Sequence, residues 1–270
     1  MSARVRVAAH VWPGGAPDYR TWRGAVLRAE ELGADIVFGY DHFHAPAVRR
    51  TADGIALEPV QPDVTNFEGW TALASWAEVT TRAEIGLLVT GIGYRNPDLL
   101  ADMARTVDHI SGGRLILGVG AGWYEKDYRT YGYDHGTLRS RMDTFTEGVR
   151  RIEHRLTQLN PPPVRPIPIL IGGAGERRTL PLVGRHAHIW HSGLDVATFR
   201  RKNDLVKQYA AAAGRDDGLI ERATNWTTAA AADVLLAEGI TLHVTELKPA
   251  AGGYDFASLA ALVAWRDTVR

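Results

Sequence analysis

"IPILIGGAGERRTLPLVGRHAHIW", residues 167–190, decides how the chain folds. An apolar run breaks at Gly172, Gly173, Ala174 and Gly175, a helical pattern opens with Glu176, Arg177 and Arg178, and a second apolar run follows at 187–191. Strand, turn, helix and strand in this order make a βα unit of a parallel sheet. A glycine turn at a helix N-terminus offers backbone N–H groups and the positive end of the helix dipole to an anion, most often a phosphate. The same glycines equally serve a chain that only has to turn sharply, and these residues alone leave both readings open.

The alternation continues on both sides. Strands are expected near 5–10, 35–40, 84–90, 114–120, 167–172, 187–191, 221–226 and 240–245, with helical patterns at 17–32, 67–81, 97–110, 138–157, 176–186, 195–213, 228–238 and 255–269. An open doubly wound sheet would also alternate, but eight βα units without a second domain predict a single (β/α)8 TIM barrel over residues 1–270. Its site belongs at the C-terminal face of the strands. Two long connections, 41–66 and 121–137, follow strands and therefore lie on that face. The first carries "HAPAVRRTADGIALEPVQP" (44–62) and reads as a mobile lid. "NPPPVRPIP" (160–168) is a stiff approach to strand five, and Asn96 with Pro97 marks a helix start.

Lys plus Arg and Asp plus Glu are balanced at 31 each, so nothing in the overall charge points to nucleic acid or a membrane surface. No cysteine is present, which excludes disulfides, thiolate metal sites and cysteine nucleophiles. The opening "MSARVRVAAHVW" enters a strand without a signal-peptide core, and no apolar run reaches the ~18–20 residues of a membrane span. These features predict a soluble, cytoplasmic protein that handles a small-molecule substrate.

In a barrel the strand ends face the site. They read His10 and Trp12, Asp41 and His42, Thr90, Gly120, Gly122 and Trp123, Gly172 and Gly173, His191, then Asn225 and Trp226. Each aromatic or imidazole alone serves as well to cap the core; together beside glycine turns they suggest a pocket for a flat ring with a phosphate on its rim. "YDHFH" (40–44) is the sharpest candidate, because His42 suits proton transfer near neutral pH and Asp41 is placed to orient it. His10, Asp41, His42, His44 and His191 also permit a zinc hydrolase reading, but strand one lacks the H-x-H such barrels carry, and nothing demands a metal. In "GVGAGWYEKDYRTYGY" (118–133) Trp123 takes the last glycine position of a dinucleotide fingerprint, which argues against a Rossmann dehydrogenase. Those glycines are expected to let backbone approach a ring, with Trp123 and Tyr124 as walls. "RRKNDL" (200–205) reads as a solvated basic face that a charged cofactor tail can also use.

"NFEGWTALASWAEVTTRAEIGLLVTGIGYRNPDLLADMARTVDHISGGRLILGVGAGWYEKDYRTYGY" (66–133), with "RSRMDTFTEG" (139–148) and "IPILIGGAGERRTL" (167–180), resembles the luciferase-like monooxygenase superfamily. The likeness is strongest to the actinobacterial branch that uses the deazaflavin coenzyme F420, and it runs from about residue 24 to about residue 216. It implies a (β/α)8 barrel with the cofactor ring beside Leu88, Val89 and Thr90, over a bulge between about Leu87 and Gly91 with a non-prolyl cis peptide. It implies a phosphate arm on Gly172, Gly173, Ala174 and Gly175, while the strand-end reading adds Gly122, Trp123 and His191 as cofactor contacts. Asp41 and His42 correspond to the acid and imidazole near the ring. Trp123 stands where some relatives carry a catalytic carboxylate, leaving Glu125 and His42 as proton donors, and "HIWHS" (188–192) replaces a usual D-x-W-N.

The function expected is hydride transfer by coenzyme F420 to or from a small organic substrate. An FMN-dependent monooxygenase fed reduced flavin by a partner reductase is the alternative. A flavin-storage protein fits less well, since binding alone needs no titratable Asp41 and His42. The resemblance leaves a homodimer open, and no specificity code can be read from 43–65 or from "WYEKDYRTYGY".

Overall fold

In the computed structural model, which describes residues 4–51 and 54–269, eight parallel strands close on themselves. They are β1 Arg6–Val11, β2 Ile36–Gly39, β3 Glu84–Leu87, β4 Leu115–Gly120, β5 Ile169–Gly172, β6 Ile189–His191, β7 Glu221–Asn225 and β8 Ile240–Leu247. Each pairs with the next and β8 pairs back with β1, so Ala8 stands between Ile36 and Val244. The helices between them are α1 Tyr19–Glu31, α2 Gly69–Val79, α3 Pro97–Ile110, α4 Leu138–Leu156, α5 Thr179–His186, α6 Val196–Ala212, α7 Ala229–Ala237 and α8 Ala257–Val269. This is the expected TIM barrel; residues 1–3 and 270 of the expected domain lie outside the described residues.

Local chemistry sets the helix starts. Asp18, Glu68, Asn96, Asp195 and Thr228 each accept a backbone N–H of the first turn, Pro97 opens α3, and Thr137 with Ser140 forms a capping box. One start differs from expectation. Residues 176–178 form a turn and α5 begins only at Thr179, because the carbonyl of Gly175 accepts the N–H groups of both Thr179 and Leu180.

Strand alternation divides the core. Ala8, Phe38, Ile116, Leu170, Ile189, Ala223 and Leu242 meet inside the barrel, whereas Ala9, Val37, Leu117 and Ile171 pack outward against the helices. Below the inner layer Arg6 of β1 reaches Glu84 of β3 and Glu221 of β7, with its Nε 3.1 Å from Glu221 Oε1, and Arg165 closes on Glu84.

The end of the third strand is irregular, as the resemblance implies. β3 stops at Leu87, the Leu88–Val89 peptide is cis, and pairing with β4 resumes at Thr90 and Gly91. This segment explains the glycines of "GVG". A Cβ on Gly118 would sit 2.0 Å from the Leu87 carbonyl oxygen, and one on Gly120 would sit 2.8 Å from Val89 Cγ2. The expectation that these glycines admit a bound ring is therefore corrected: they admit the β3 bulge.

The connection 41–66 holds an antiparallel hairpin, Val48–Thr51 with Gly54–Leu57; Ala52 and Asp53 of the expected lid lie outside the described residues. Gln61 ties this connection to itself, accepting from Ala47 N at 2.9 Å and donating to the Glu58 carbonyl at 2.7 Å. The connection 121–137 forms the short helix Glu125–Thr130.

Arg6→Leu leaves Glu221 without its cation and Glu84 with Arg165 alone at the barrel floor, and should cost about 2–4 kcal/mol in urea unfolding. Arg4→Leu, which breaks an exposed pair with Asp35, should cost about 0–1 kcal/mol in the same assay. Equal losses would contradict a structural role for the floor network.

Candidate functional site

At the C-terminal face the strand ends enclose a cavity of about 400 Å³. Its wall takes Leu88 and Val89 from the β3 bulge, Gly172 from β5, His191 from β6 and Asn225 from β7. It continues through Glu246 of β8, His10 and Trp12 of the first strand end, and Tyr40, His42 and Trp123 above. The volume is that of a site for a small organic molecule or one ring system. The lining is mostly apolar, and Trp123 remains 44% exposed at the mouth, its ring edge-on to His42.

Behind the cavity wall Asp127 is fully buried in the short helix Glu125–Thr130. Its Oδ2 is 2.8 Å from His42 Nδ1 and accepts the Tyr94 hydroxyl at 2.9 Å. Its Oδ1 accepts the His44 backbone N–H at 3.0 Å and lies 2.8 Å from His44 Nδ1. Burial pushes the Asp127 carboxyl upward, but the His42 and His44 hydrogen bonds, the His42 charge and Tyr94 outweigh it and hold the pKa below the ordinary value. An ionised carboxylate only accepts, so Nδ1 of His42 carries a proton and Nε2 is the nitrogen left for the cavity. Among the described residues Nε2 has no protein partner. Asn66 fixes the backbone beneath, donating to the His42 carbonyl at 2.8 Å while accepting from the Tyr40 hydroxyl at 2.7 Å.

Three proposed roles change with this geometry. Asp41 does not orient His42: it is buried in a two-pronged pair with Arg95 at 2.6 and 2.9 Å, and Arg95 also reaches Glu68, the α2 cap. Glu125 points outward to Arg129, one helical turn on, at 2.7 Å and does not line the cavity. Thr90 is buried behind the wall, where its hydroxyl accepts the Trp70 indole N–H at 3.0 Å.

The glycine turn is also resolved. Gly172 lines the cavity, but the Gly173 N–H is already given to the His191 carbonyl at 3.0 Å. Gly173 has φ +116°, a conformation side chains disfavour, so glycine is demanded there by the turn itself. Ala174 receives Lys202 Nζ at 2.8 Å on its carbonyl. The N–H groups of 174–178 make no backbone hydrogen bond among the described residues. They border a second depression with Gly175, Arg139, Arg177, Arg178 and Lys202. Of the basic face, Arg200 is paired with Glu238 and Arg201 with Glu176 of the turn itself, while Lys202 alone of the three lines this depression. Gly122 has φ +76° and sits under the Tyr128 hydroxyl. His191 lines the cavity with Nε2 3.2 Å from Asn225 Oδ1. Trp226 packs on Trp265, away from the cavity. Among the described residues no group of three acidic or histidine side chains is arranged to hold a metal.

Asp127 escaped the sequence reading although it lies two residues beyond Glu125; the acid was visible, but nothing local shows which one turns inward. Glu246 escaped because β8 runs to Leu247, past its expected end.

A depressed folded-state pKa means that Asp127 contributes its full stabilisation above the unfolded value of about 4 and loses it as pH falls through the folded value. Asp127→Asn should lower stability at pH 7 by about 2–4 kcal/mol and by less at pH 3. Urea titrations at both pH values check this, and an equal loss at both would refute it.

The family model for the luciferase-like monooxygenases matches residues 2–244. A protein of Mycobacterium tuberculosis of uncharacterised function is 27% identical over 209 residues, 71% of this chain and 74% of that one. The phthiodiolone/phenolphthiodiolone dimycocerosates ketoreductase of the same organism is 30% identical over 219 residues, 72% of this chain and 57% of the enzyme. Among solved structures, an F420-dependent secondary alcohol dehydrogenase superposes with a TM-score of 0.80 at 15% identity, covering 99% of both chains. The FMN complex of the oxygenating constituent of 3,6-diketocamphane monooxygenase from Pseudomonas putida gives 0.61 at 17% identity, covering 84% of this chain and 67% of that one. At these identities the structural likeness speaks for the barrel fold, while the match over nearly the whole sequence places the chain in the luciferase-like monooxygenase family.

Proposed function

We propose that this protein is an oxidoreductase that uses coenzyme F420 to interconvert a carbonyl and an alcohol on a small organic substrate. The observation that carries this reading is His42: its Nδ1 is held by an ionised, buried Asp127, and its Nε2 is left for an apolar cavity. The residues present fit the cofactor. Leu88, Val89 and Trp123 offer faces for a flat ring, and the turn at 172–178 leads from the cavity to a depression lined by Arg139, Arg177, Arg178 and Lys202 beside the single acid Glu176. With Arg178 paired to Asp143 and Lys202 near Glu176, a net positive charge remains for a phosphate. When bound, the reduced deazaflavin supplies a hydride.

The protein's own task is the proton. Reduction of a carbonyl adds a hydride to carbon and a proton to oxygen; oxidation removes both. Protonated at Nε2, His42 gives that proton to the developing alkoxide, and neutral it takes the proton from the alcohol. Asp127 keeps the ring oriented and stabilises the imidazolium between these states. The apolar walls exclude water from the reacting carbon. The names of two relatives, a ketoreductase and a secondary alcohol dehydrogenase, support carbonyl–alcohol chemistry. An FMN-dependent oxygenation is the second reading, favoured by the same anion-binding turn, which suits the single phosphate of FMN.

Fluorescence titration of the purified protein with F420 and with FMN, alongside metal analysis, tests the cofactor: tight binding of F420 and at least tenfold weaker binding of FMN is expected, and the reverse order would overturn the reading. His42→Asn should cut turnover by about 10²–10⁴-fold while F420 affinity changes little. Glu125→Gln, at an outward-facing acid, should leave both within about twofold. Near-normal turnover in His42→Asn would refute the proton role.

A further inference from the structure

Across the cavity from the β3 and β5 wall stands His10, at the end of β1, only 7% exposed. Its two nitrogens differ. The Trp12 indole N–H, which can only donate, gives its hydrogen to His10 Nδ1 at 3.3 Å. Nδ1 must therefore carry a lone pair, and a neutral imidazole then carries its single hydrogen on Nε2. That Nε2 is buried and has no hydrogen-bond partner. The groups whose charges act on His10 are Glu246, His191, Lys248 and His42, three of which line the same cavity. Burial also pushes the imidazole down to about 4, which keeps it neutral at physiological pH. A buried donor left unpaired is costly, and an acceptor on a ligand in this cavity would remove that cost.

We infer that His10 Nε2–H is a substrate-orienting donor, which selects ligands bearing a carbonyl, hydroxyl or comparable oxygen at the β1 and β8 side of the cavity. The inference rests on the proposed function in one respect: a ring seated on Leu88, Val89 and Gly172 leaves the β1 and β8 side to the substrate. The acceptor could otherwise belong to the cofactor's own ring carbonyls, and the experiment separates the two. The cavity thus presents two imidazoles of opposite polarity. His42, pinned through Nδ1, offers Nε2 to exchange a proton, while His10, capped at Nδ1, offers Nε2–H as a fixed donor that takes no part in proton transfer.

Histidine-selective ¹⁵N–¹H correlation spectra of the protein, assigned by loss of signals in His10→Phe and His42→Asn, read both tautomers directly. His10 should show a pyrrole-type Nε2 and a pyridine-type Nδ1. A protonated Nδ1 on His10 would overturn the proposal before any ligand is added. The protein is then loaded with oxidised F420, or with FMN if that binds instead, and titrated with cyclohexanone or with methylenecyclohexane, which has the same shape but no oxygen. Cyclohexanone should move the His10 Nε2–H resonance and bind about five- to tenfold more tightly than the alkene, and His10→Phe should reduce this preference to about twofold or less. His10→Gln, which retains a donor, should restore part of it. A His10 signal that moves on loading the cofactor and not with the ketone assigns the donor to the cofactor and overturns the substrate role, as does equal binding of ketone and alkene. If neither F420 nor FMN binds, the proposed function fails; the ketone titration is then run on the unloaded protein, where a His10 Nε2–H signal moved by the ketone supports the donor role and equal binding of ketone and alkene overturns it.

Discussion

A buried carboxylate that must be satisfied from four directions organises this active face. Asp127 cannot be taken from water without compensation, and the compensation comes from chain segments far apart: His42 and His44 after β2, and Tyr94 after the β3 bulge. Each of these groups is itself placed by the bond it makes. The connection after β2, which would otherwise be an irregular excursion, is clamped at its start by this anchor and beneath by Tyr40 and Asn66. A second buried pair, Asp41 with Arg95, runs parallel to it and links the same two connections to the α2 cap through Glu68. The aromatic rings around His42 then pack on a framework whose polar groups are already fixed.

The β3 bulge is the complementary constraint on the opposite wall. By pushing Leu87 and Val89 toward β4, it requires side chains to be missing at Gly118 and Gly120, and it narrows the space at Gly172, where a Cβ would come within 3.3 Å of Val89 Cγ1. Close packing thus turns a backbone irregularity into a glycine pattern on a neighbouring strand. The result is a smooth apolar surface facing a polar one across about 400 Å³, the asymmetry a site needs if a flat ring is to lie on one side and a polar substrate on the other.

On the polar side chemistry is decided by which nitrogen of each imidazole is already used. Two histidines of identical composition hold their Nδ1 atoms in opposite ways, because one faces a carboxylate and the other an indole, and it is on this difference that the proposed roles of exchanger and fixed donor rest. Asp127 lies 85 residues from the histidine it sets, whereas Trp12 is two residues from His10. The same distinction separates binding energy from catalysis: a neutral donor orients a ligand in both directions of a reaction, whereas the exchanger changes state during it.

The eight strands, the Asn96–Pro97 helix start, the strand-end residues and the glycine turn were legible in the sequence because each is written in local periodicity or in the chemistry of a few neighbouring residues. Even the β3 irregularity followed from resemblance to a known family. What the sequence could not rank were the acids. Asp41, Glu125 and Asp127 all stand beside strand ends, and only the closed barrel, by bringing the β2 and β4 connections together, turns Asp127 to the histidines, Asp41 to Arg95 and Glu125 to solvent. Thr90 and Gly173 were likewise found at the right place but with their hydrogen bonds already committed to Trp70 and to His191. Local sequence determines which residue types reach the mouth of a barrel; which of them remain available for chemistry is a matter of long-range pairing, because a buried polar group takes the nearest partner the fold supplies.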